Sequence, residues 1–317
     1  MTTLLLLALQ DLTAPVSFDT PEADRILRTL QILPADHPIN TEVSAWPVHP
    51  DSAKIVGSIG ADKPLRYNTD MGFILVPPDQ KKVDLRILAY PAESDPGPYP
   101  IPDAVPIEGW PAYYRRDRPE PRPTLDEVQR DVRTWGGDRH AIVLDPAGMK
   151  LYEFFVMRRT GEGWAADCAA IFDLTSNKLR PDGWTSADAA GLPILPCVVR
   201  HDEIARGEIR HALRVTVRKS RRAYVAPATH YASSHTDPSL PRMGERLRLR
   251  KDFDTAGFTP PVRTILEALK KYGMLVADNG IEWAVSVTPD ERIPVLHEEL
   301  RKVKGKDFEV VVAPVTR

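Results

Sequence analysis

Apolar residues recur along this chain in short runs that are separated by polar turns and by prolines, and few segments show helical spacing. Residues 246–253 alternate between polar and apolar side chains, which is typical of a strand with one exposed face. The clearest helical pattern covers residues 260–273, with Pro261 near its start and Gly273 at its end. The pattern as a whole predicts a mainly β fold with a few helices.

Local turn signals predict several hairpins and one further helix. Two apolar runs on either side of a turn at residues 145–148 predict a hairpin over residues 138–159. A second hairpin is predicted over residues 72–90, and a third around the pair Asn279 and Gly280. A capping box of the Thr-x-x-Glu type predicts a helix over residues 124–135. The hairpins favour antiparallel sheets.

Proline is unusually frequent, with 31 Pro against 18 Gly in 317 residues. Because proline interrupts helices and central strands, it favours short strands joined by fixed turns and long loops. Residues 91–123 are the most proline-rich part and are predicted to be irregular. With no repeat and no linker, the chain is predicted to form a single β-rich domain over residues 16–317. The predicted fold class is mainly β (α+β), an antiparallel β-sandwich or jelly-roll-like core with a few peripheral helices.

The N-terminal residues 1–15 contain a leucine-rich and alanine-rich run that resembles a weak signal peptide and is too short to span a membrane. We therefore expect a secreted or periplasmic protein, with a cytoplasmic location left open. No later stretch has the length of a membrane span. The two cysteines, Cys168 and Cys197, stand among apolar residues, which favours free buried thiols over a single disulfide.

Charge changes this picture in one respect, because it argues against a nucleic-acid partner. The chain has 42 basic and 44 acidic residues, a net charge of −2 at pH 7, and no basic surplus. One basic cluster, formed by Arg218, Lys219, Arg221 and Arg222, is interpreted as a solvated hairpin turn, with contact to phosphate or to an anionic glycan as the alternative.

Common catalytic fingerprints such as G-x-S-x-G, the P-loop, G-x-G-x-x-G and H-E-x-x-H are absent from the sequence. Ionisable residues instead gather where predicted strands begin or end, above all in and after the central stretch 183–217. The simplest mechanism for them is glycoside hydrolysis without a cofactor, in which Glu203 and Asp278 form a carboxylate pair with His211 and His230 nearby.

Two other mechanisms use the same residues differently. His140, His211 and His230 would bind a divalent metal ion through neutral imidazoles, as in a metal-dependent hydrolase, if the fold brings them together. Alternatively, His211 or Tyr272 would remove a proton beside a uronate carboxylate that Arg200 holds, as in a polysaccharide lyase.

The expected partner is a polysaccharide or oligosaccharide, and the oligomeric state is left open. Trp110, Tyr113 and Trp184 are candidates for the wall of a sugar site, together with Arg200 and Tyr272. In the non-catalytic alternative, a glycan-binding or surface module, such aromatic residues form a shallow platform and the ionisable groups only hold turns. Glu203 would then cap a turn, Asp278 would belong to a hairpin turn and His211 would be a core residue.

Several long phrases of the sequence carry a family resemblance: GLPILP, DEIARGEIRHALRVTV, PATHYASS and KKYGMLVADNG. They resemble a family of bacterial proteins, largely uncharacterised, that occurs in secreted and carbohydrate-related contexts. The resemblance covers most of residues 35–285 and implies a location outside the cytoplasm and a role with carbohydrates. It implies no particular catalytic residue. Where the family tends to read Asn-Pro-Trp-Asn, this chain has His37 to Asn40 with isoleucine in the tryptophan position.

Overall fold

The computed structural model describes residues 12–115 and 120–314, so most of the predicted signal-like segment over residues 1–15 lies outside the described residues. The chain divides into two compact units. The first consists of the chain up to Pro34, Thr69–Ser176 and Thr288–Arg292, and the second of Ala35–Asn68, Asn177–Val287 and the chain from Ile293. The single domain predicted for residues 16–317 stays a prediction. The secreted or periplasmic location also stays a prediction.

The described residues form short strands and few helices. The strands are β1 (Val16–Ser17), β2 (Arg66–Thr69), β3 (Ile74–Leu75), β4 (Leu85–Ile87), β5 (Ala141–Asp145), β6 (Lys150–Phe155), β7 (Arg158–Thr160), β8 (Gly163–Ala166), β9 (Cys168–Asp173), β10 (Leu213–Val217), β11 (Arg246–Leu249), β12 (Met274–Asn279), β13 (Ala284–Val287) and β14 (Phe308–Val311). The α-helices are α1 (Pro21–Leu27), α2 (Ser52–Ile59), α3 (Ala112–Arg115), α4 (Leu125–Arg130), α5 (His201–Arg206), α6 (Pro260–Lys271) and α7 (His297–Leu300).

The first unit holds a five-stranded sheet in the order β1-β3-β5-β6-β9 and a three-stranded sheet in the order β4-β8-β7. The hairpin predicted over residues 138–159 is confirmed, because β5 and β6 pair antiparallel with Ala141 opposite Phe154. The hairpin predicted over residues 72–90 is wrong, since β3 pairs with β1 and β5 while β4 pairs with β8. Both residues of β3 are buried, and a fully buried strand gains more from two neighbours in a larger sheet than from one hairpin partner.

The second unit is built on a six-stranded sheet in the order β14-β11-β12-β10-β13-β2. Its central strand β10 is buried along its whole length and runs parallel to β12. The hairpin predicted around Asn279 and Gly280 is wrong, because β10 lies between β12 and β13. The helix predicted over residues 260–273 is confirmed as α6, and the capping box of α4 is present at Thr124 and Glu127.

The predicted fold class is confirmed at the coarse level, since the described residues are mainly sheet with a few helices. The purely antiparallel arrangement is wrong, because every sheet contains a parallel pair: β3 with β5, β4 with β8, and β10 with β12. None of the described sheets closes into a barrel, and the sandwich or jelly-roll arrangement stays a prediction.

Two smaller predictions can be compared with the described residues. Cys168 and Cys197 are free and buried, which confirms the free-thiol interpretation. None of the helices in the described ranges combines the length and the apolar character needed to cross a membrane.

Candidate functional site

The fold distributes the predicted site residues over three places. Because β10 and β12 are parallel, with Leu213 opposite Met274 and Val217 opposite Asn279, they share an N-terminal end and a C-terminal end. Arg200, Glu203, His211 and Tyr272 belong to the N-terminal end; Trp184, His230 and Asp278 belong to the C-terminal end; Trp110, Tyr113 and His140 belong to the first unit.

A buried ionic cluster occupies the N-terminal end of the pair. Glu203, in the first turn of α5, is 1% exposed. Its Oε1 accepts hydrogen bonds from Nε2 of His211 at 3.0 Å and from Arg206 Nη2 at 3.3 Å, and it lies 2.8 Å from Nη2 of Arg200. Its Oε2 accepts from the backbone N–H of Arg200 at 3.4 Å. The carboxylate is therefore fully engaged with cations and with the backbone at the start of α5.

The surrounding charges fix the protonation of this cluster. Burial by itself raises the pKa of Glu203, but the positive charges of Arg200 and His211 outweigh burial and lower the pKa from 4.5 to about 2. For the neighbouring Asp202, burial outweighs the attraction of Arg200 and raises the pKa above its ordinary value. A carboxylate that stays ionised and fully bonded is poorly suited to be a general acid near neutral pH. The contacts favour the alternative in which Glu203 holds the start of α5.

His211 and Tyr272 are equally enclosed. Nδ1 of His211 lies 2.9 Å from the carbonyl oxygen of Ala212, while its Nε2 faces Glu203. Because both partners can only accept, both contacts are hydrogen bonds when the imidazole carries two protons. Tyr272 is 6% exposed, and its carbonyl oxygen accepts from Nη1 of Arg246 at 2.6 Å. These contacts assign both residues to the packing of the second unit.

Asp278 lies at the opposite end of the parallel pair from Glu203. Asp278 pairs with Thr216 of β10, and β10 rises roughly 10 Å between Leu213 and Thr216. His211 lies two residues before Leu213, so it is farther still from Asp278. Glycosidase carboxyl groups stand about 5–9.5 Å apart. The structure therefore does not bring Glu203 and Asp278 together as the predicted pair.

A row of half-buried aromatic rings lies at the C-terminal end. We name Tyr224, Tyr231 and His230 the aromatic row. The ring centroids of Tyr224 and Tyr231 are 6.2 Å apart at an interplanar angle of 18°, and those of Tyr231 and His230 are 5.7 Å apart at 3°. The guanidinium of Arg222 lies 5.7 Å from the Tyr231 centroid, and its Nε donates to the Tyr231 hydroxyl at 3.3 Å. The three rings thus form a nearly parallel set with a cation against the central ring, Tyr231.

A carboxylate lies at the Tyr224 end of the aromatic row. The hydroxyl of Tyr224 donates a hydrogen bond of 2.6 Å to Oδ1 of the exposed Asp182. This bond raises the pKa of Tyr224 above its ordinary value, so the phenol stays protonated at neutral pH. The row therefore has a carboxylate at its Tyr224 end and a cation against its central ring, Tyr231.

Backbone hydrogen bonds fix the loops that carry the aromatic row to the end of β12. Ala190 donates to the carbonyl oxygen of Ala277 at 3.0 Å, and Thr229 and His230 both donate to the carbonyl oxygen of Ala190. Gly191 has φ of 74°, and a Cβ there would lie 2.1 Å from Oγ1 of Thr229, so only glycine fits. The close approach of the two loops depends on this residue.

A buried ion pair anchors the same loop to the sheet. Asp188 is fully buried and accepts from Nε of Arg214 at 3.1 Å and from Nη2 at 2.8 Å. The remaining Nη1 of Arg214 donates to Oγ of Ser286 at 2.6 Å. Because Arg214 is on β10 and Ser286 on β13, this bidentate pair joins the loop to the centre of the six-stranded sheet.

His230 has a defined tautomer. Its Nδ1 lies 2.8 Å from the carbonyl oxygen of Ala189, which can only accept, so Nδ1 carries a proton. In the neutral imidazole, Nε2 is then the nitrogen that accepts a hydrogen bond. Trp184 lies in the adjoining segment, where its carbonyl oxygen accepts from Oγ1 of Thr229 at 2.9 Å, and its ring packs 5.5 Å from the guanidinium of Arg180.

The remaining predicted residues lie in the first unit. Trp110 packs against the core of that unit, and Tyr113 is 65% exposed with its ring against Tyr114. His140 is buried, and its Nδ1 lies 2.9 Å from Oε2 of Glu108. Across the described residues, no three His, Cys, Asp or Glu side chains are placed to hold a metal ion, so the three-imidazole site is not assembled there.

The sequence analysis does not identify Tyr224, Tyr231 or Asp182 as site residues, and it includes Arg222 only in a basic cluster with anionic-glycan contact as the alternative. The basic cluster of Arg218, Lys219, Arg221 and Arg222 follows β10 and is not a hairpin turn, and its arginines have different contacts. Arg218 pairs with Glu282 at 2.6 Å, whereas Arg222 lies over Tyr231. The available signal was the interleaving of an arginine with tyrosines and a histidine over residues 222–231.

Relatives of known function give no guide to this site. Comparisons with protein-family models, with curated proteins and with solved structures each gave no match.

Proposed function

We propose that the protein is a glycan-binding module whose ligand packs on the aromatic row. The observation that carries the proposal is the nearly parallel, half-buried arrangement of Tyr224, Tyr231 and His230. The C–H face of a sugar ring is apolar and packs on aromatic rings, which supply large contact areas at low cost in side-chain entropy.

The polar neighbours of the row suit the hydroxyl groups at the edge of a sugar. Asp182 supplies carboxylate oxygens at the Tyr224 end, and Arg222 supplies N–H groups beside the central ring, Tyr231. Both are held by tyrosine hydroxyls in the absence of ligand, which reduces the cost of ordering the site on binding.

Binding has stronger support than the carboxylate-pair hydrolysis that the sequence first suggests. Glu203 is buried and bonded to three side chains at one end of β10, and Asp278 lies at the end of β12 on the other side. Paired-carboxylate chemistry needs the two groups on either side of one glycosidic bond.

Replacing Tyr231 by alanine is expected to weaken glycan binding by about ten-fold or more, because the central ring of the row contacts both others. Isothermal titration against a panel of neutral and acidic oligosaccharides measures the affinity. Tyr113→Ala is the matched control, since Tyr113 is an exposed tyrosine of the first unit. Equal affinities for the wild type and Tyr231→Ala would contradict the proposal, as would an equal loss in Tyr113→Ala.

A second candidate function, polysaccharide lyase, is favoured by the fixed tautomer of His230. Its Nε2 would take the proton from C5 of a uronate unit, a C4–C5 double bond would form as the C4–O bond breaks, and the departing oxygen would receive the same proton back from the imidazolium of His230. His230→Gln is expected to abolish the ultraviolet absorbance of the unsaturated product while the ligand still binds. A wild type that binds polyuronate and forms no unsaturated product excludes this candidate and leaves the binding module.

A further inference from the structure

We infer that the ligand of the aromatic row is an anionic glycan whose carboxylate or sulfate group binds to Arg222. The inference rests on the proposed glycan binding and adds the chemical class of the ligand. It starts from the exposed guanidinium of Arg222, which stacks on Tyr231 at 5.7 Å from the ring centroid.

Within the described residues Arg222 has no carboxylate partner. Its Nε donates to the Tyr231 hydroxyl, and neither Nη group has a partner there. Most other arginines next to β10 are neutralised: Arg218 pairs with Glu282, and Arg214 pairs with Asp188. An unpaired guanidinium beside a sugar platform is the group that an anionic substituent of the sugar would reach first.

Two further cations, Lys219 and Arg221, shortly precede Arg222 in the chain. Lys219 is exposed without a carboxylate partner in the described residues, and Nε of Arg221 is buried with no hydrogen-bond partner there. Three carboxylates near this segment have other partners: Asp182 accepts from Tyr224, Asp278 from the backbone N–H of Asn279, and Asp237 from Ser239. Charge therefore sets the orientation of the ligand, with its anion at Tyr231 and its hydroxyl groups toward Asp182.

The stacked geometry favours arginine specifically. A guanidinium binds a carboxylate through two parallel N–H groups in a fixed plane, whereas an ammonium acts as a point charge. Stacking on Tyr231 and the bond from Nε hold that plane in place before the ligand arrives. Lysine at this position would keep the positive charge but could not donate two parallel hydrogen bonds in one plane.

The test measures the affinities of the wild type, Arg222→Gln, Arg222→Lys and Lys219→Gln for three probes: a polyuronate, a sulfated galactan and a neutral glucan. We expect the wild type to bind an anionic probe about ten-fold or more tightly than the neutral one at low salt. Arg222→Gln should remove that preference by lowering the affinity for the anionic probe far more than the affinity for the neutral glucan, and Arg222→Lys should restore only part of the preference. Lys219→Gln should lower the affinity for the anionic probe much less than Arg222→Gln, because Lys219 adds a positive charge without a place against Tyr231.

The outcomes separate this inference from the proposed function. Equal binding of neutral and anionic probes by the wild type, or a preference that survives in Arg222→Gln, overturns the inference alone. Absence of binding to every probe, or binding that Tyr231→Ala leaves intact, overturns the proposed function as well. The polyuronate and the sulfated galactan show which anion is bound. Because the Arg222 side chain is exposed, equal unfolding midpoints of the variants establish that the fold is retained.

Discussion

Replacing Asp188 by alanine is expected to lower the free energy of unfolding by about 3–5 kcal/mol, the largest single effect that the structure predicts. The carboxylate is fully buried and takes two hydrogen bonds from Arg214, which is itself only 2% exposed. Its removal leaves the buried guanidinium of Arg214 without its bidentate carboxylate partner. Urea unfolding, followed by tryptophan fluorescence, measures the change.

Two comparisons isolate the ion pair as the cause. Asp182→Ala removes an exposed carboxylate from the same loop and should change the stability by less than about 0.5 kcal/mol. The double variant Asp188→Ala, Arg214→Met removes both charges and should be more stable than Asp188→Ala, because the unpaired cation is gone. A double variant that is no more stable than the single one would show that the loss comes from packing and not from charge.

The parts of the fold that the sequence predicts correctly are those that local residues determine. The hairpin of β5 and β6 follows from two apolar runs and one short turn, and α6 from a proline start, one apolar face and a glycine stop. The failed hairpin at Asn279 and Gly280 carries an equally clear turn signal. There β10 lies between β12 and β13 and forms backbone hydrogen bonds with both strands. Because β10 precedes them by more than fifty residues in the chain, the local turn residues carry no information about this pairing.

The direction of two strands explains why the predicted carboxylate pair is not formed. His211 precedes β10, and Asp278 stands near the end of β12. In an antiparallel pair the start of one strand lies beside the end of the other, so Glu203 and Asp278 would have been neighbours. The observed pair is parallel, which places the same residues at opposite ends. The residue types were recognisable from sequence, but their grouping depended on a strand direction that the sequence does not reveal.

The aromatic row lies beyond sequence prediction for a related reason. Tyr224 and Tyr231 are brought together by a loop whose path is fixed through Ala190 and the end of β12, which are distant in sequence. The pairing of Tyr224 with Asp182 spans a similar distance. His230 and Trp184 were predicted as site residues on their own chemistry, and the structure places both in this region.

Replacing Glu203 by glutamine is expected to lower the free energy of unfolding by about 3 kcal/mol at pH 7, since a pKa lowered from 4.5 to about 2 represents that much preference for the ionised form. The folded pKa is below the unfolded value. The stabilisation is therefore fully present above pH 4.5 and is lost as the pH falls toward 2. The difference between the wild type and Glu203→Gln should shrink across that window, as measured by urea unfolding at a series of pH values.

Asp202→Asn is the matched control, because Asp202 is a buried carboxylate of the same helix whose pKa is raised, not lowered. Its ionised form is disfavoured in the folded protein, so removing its charge should cost less at pH 7 than Glu203→Gln and should leave the acid dependence of the wild type in place. If Asp202→Asn loses the acid dependence and Glu203→Gln keeps it, the charge that holds the start of α5 belongs to Asp202, and the assignment of Glu203 is wrong. If the expected pattern is found, Glu203 is a fixed anion that His211 and Arg200 stabilise, and the chemistry of this protein must be sought at the other end of β10 and β12.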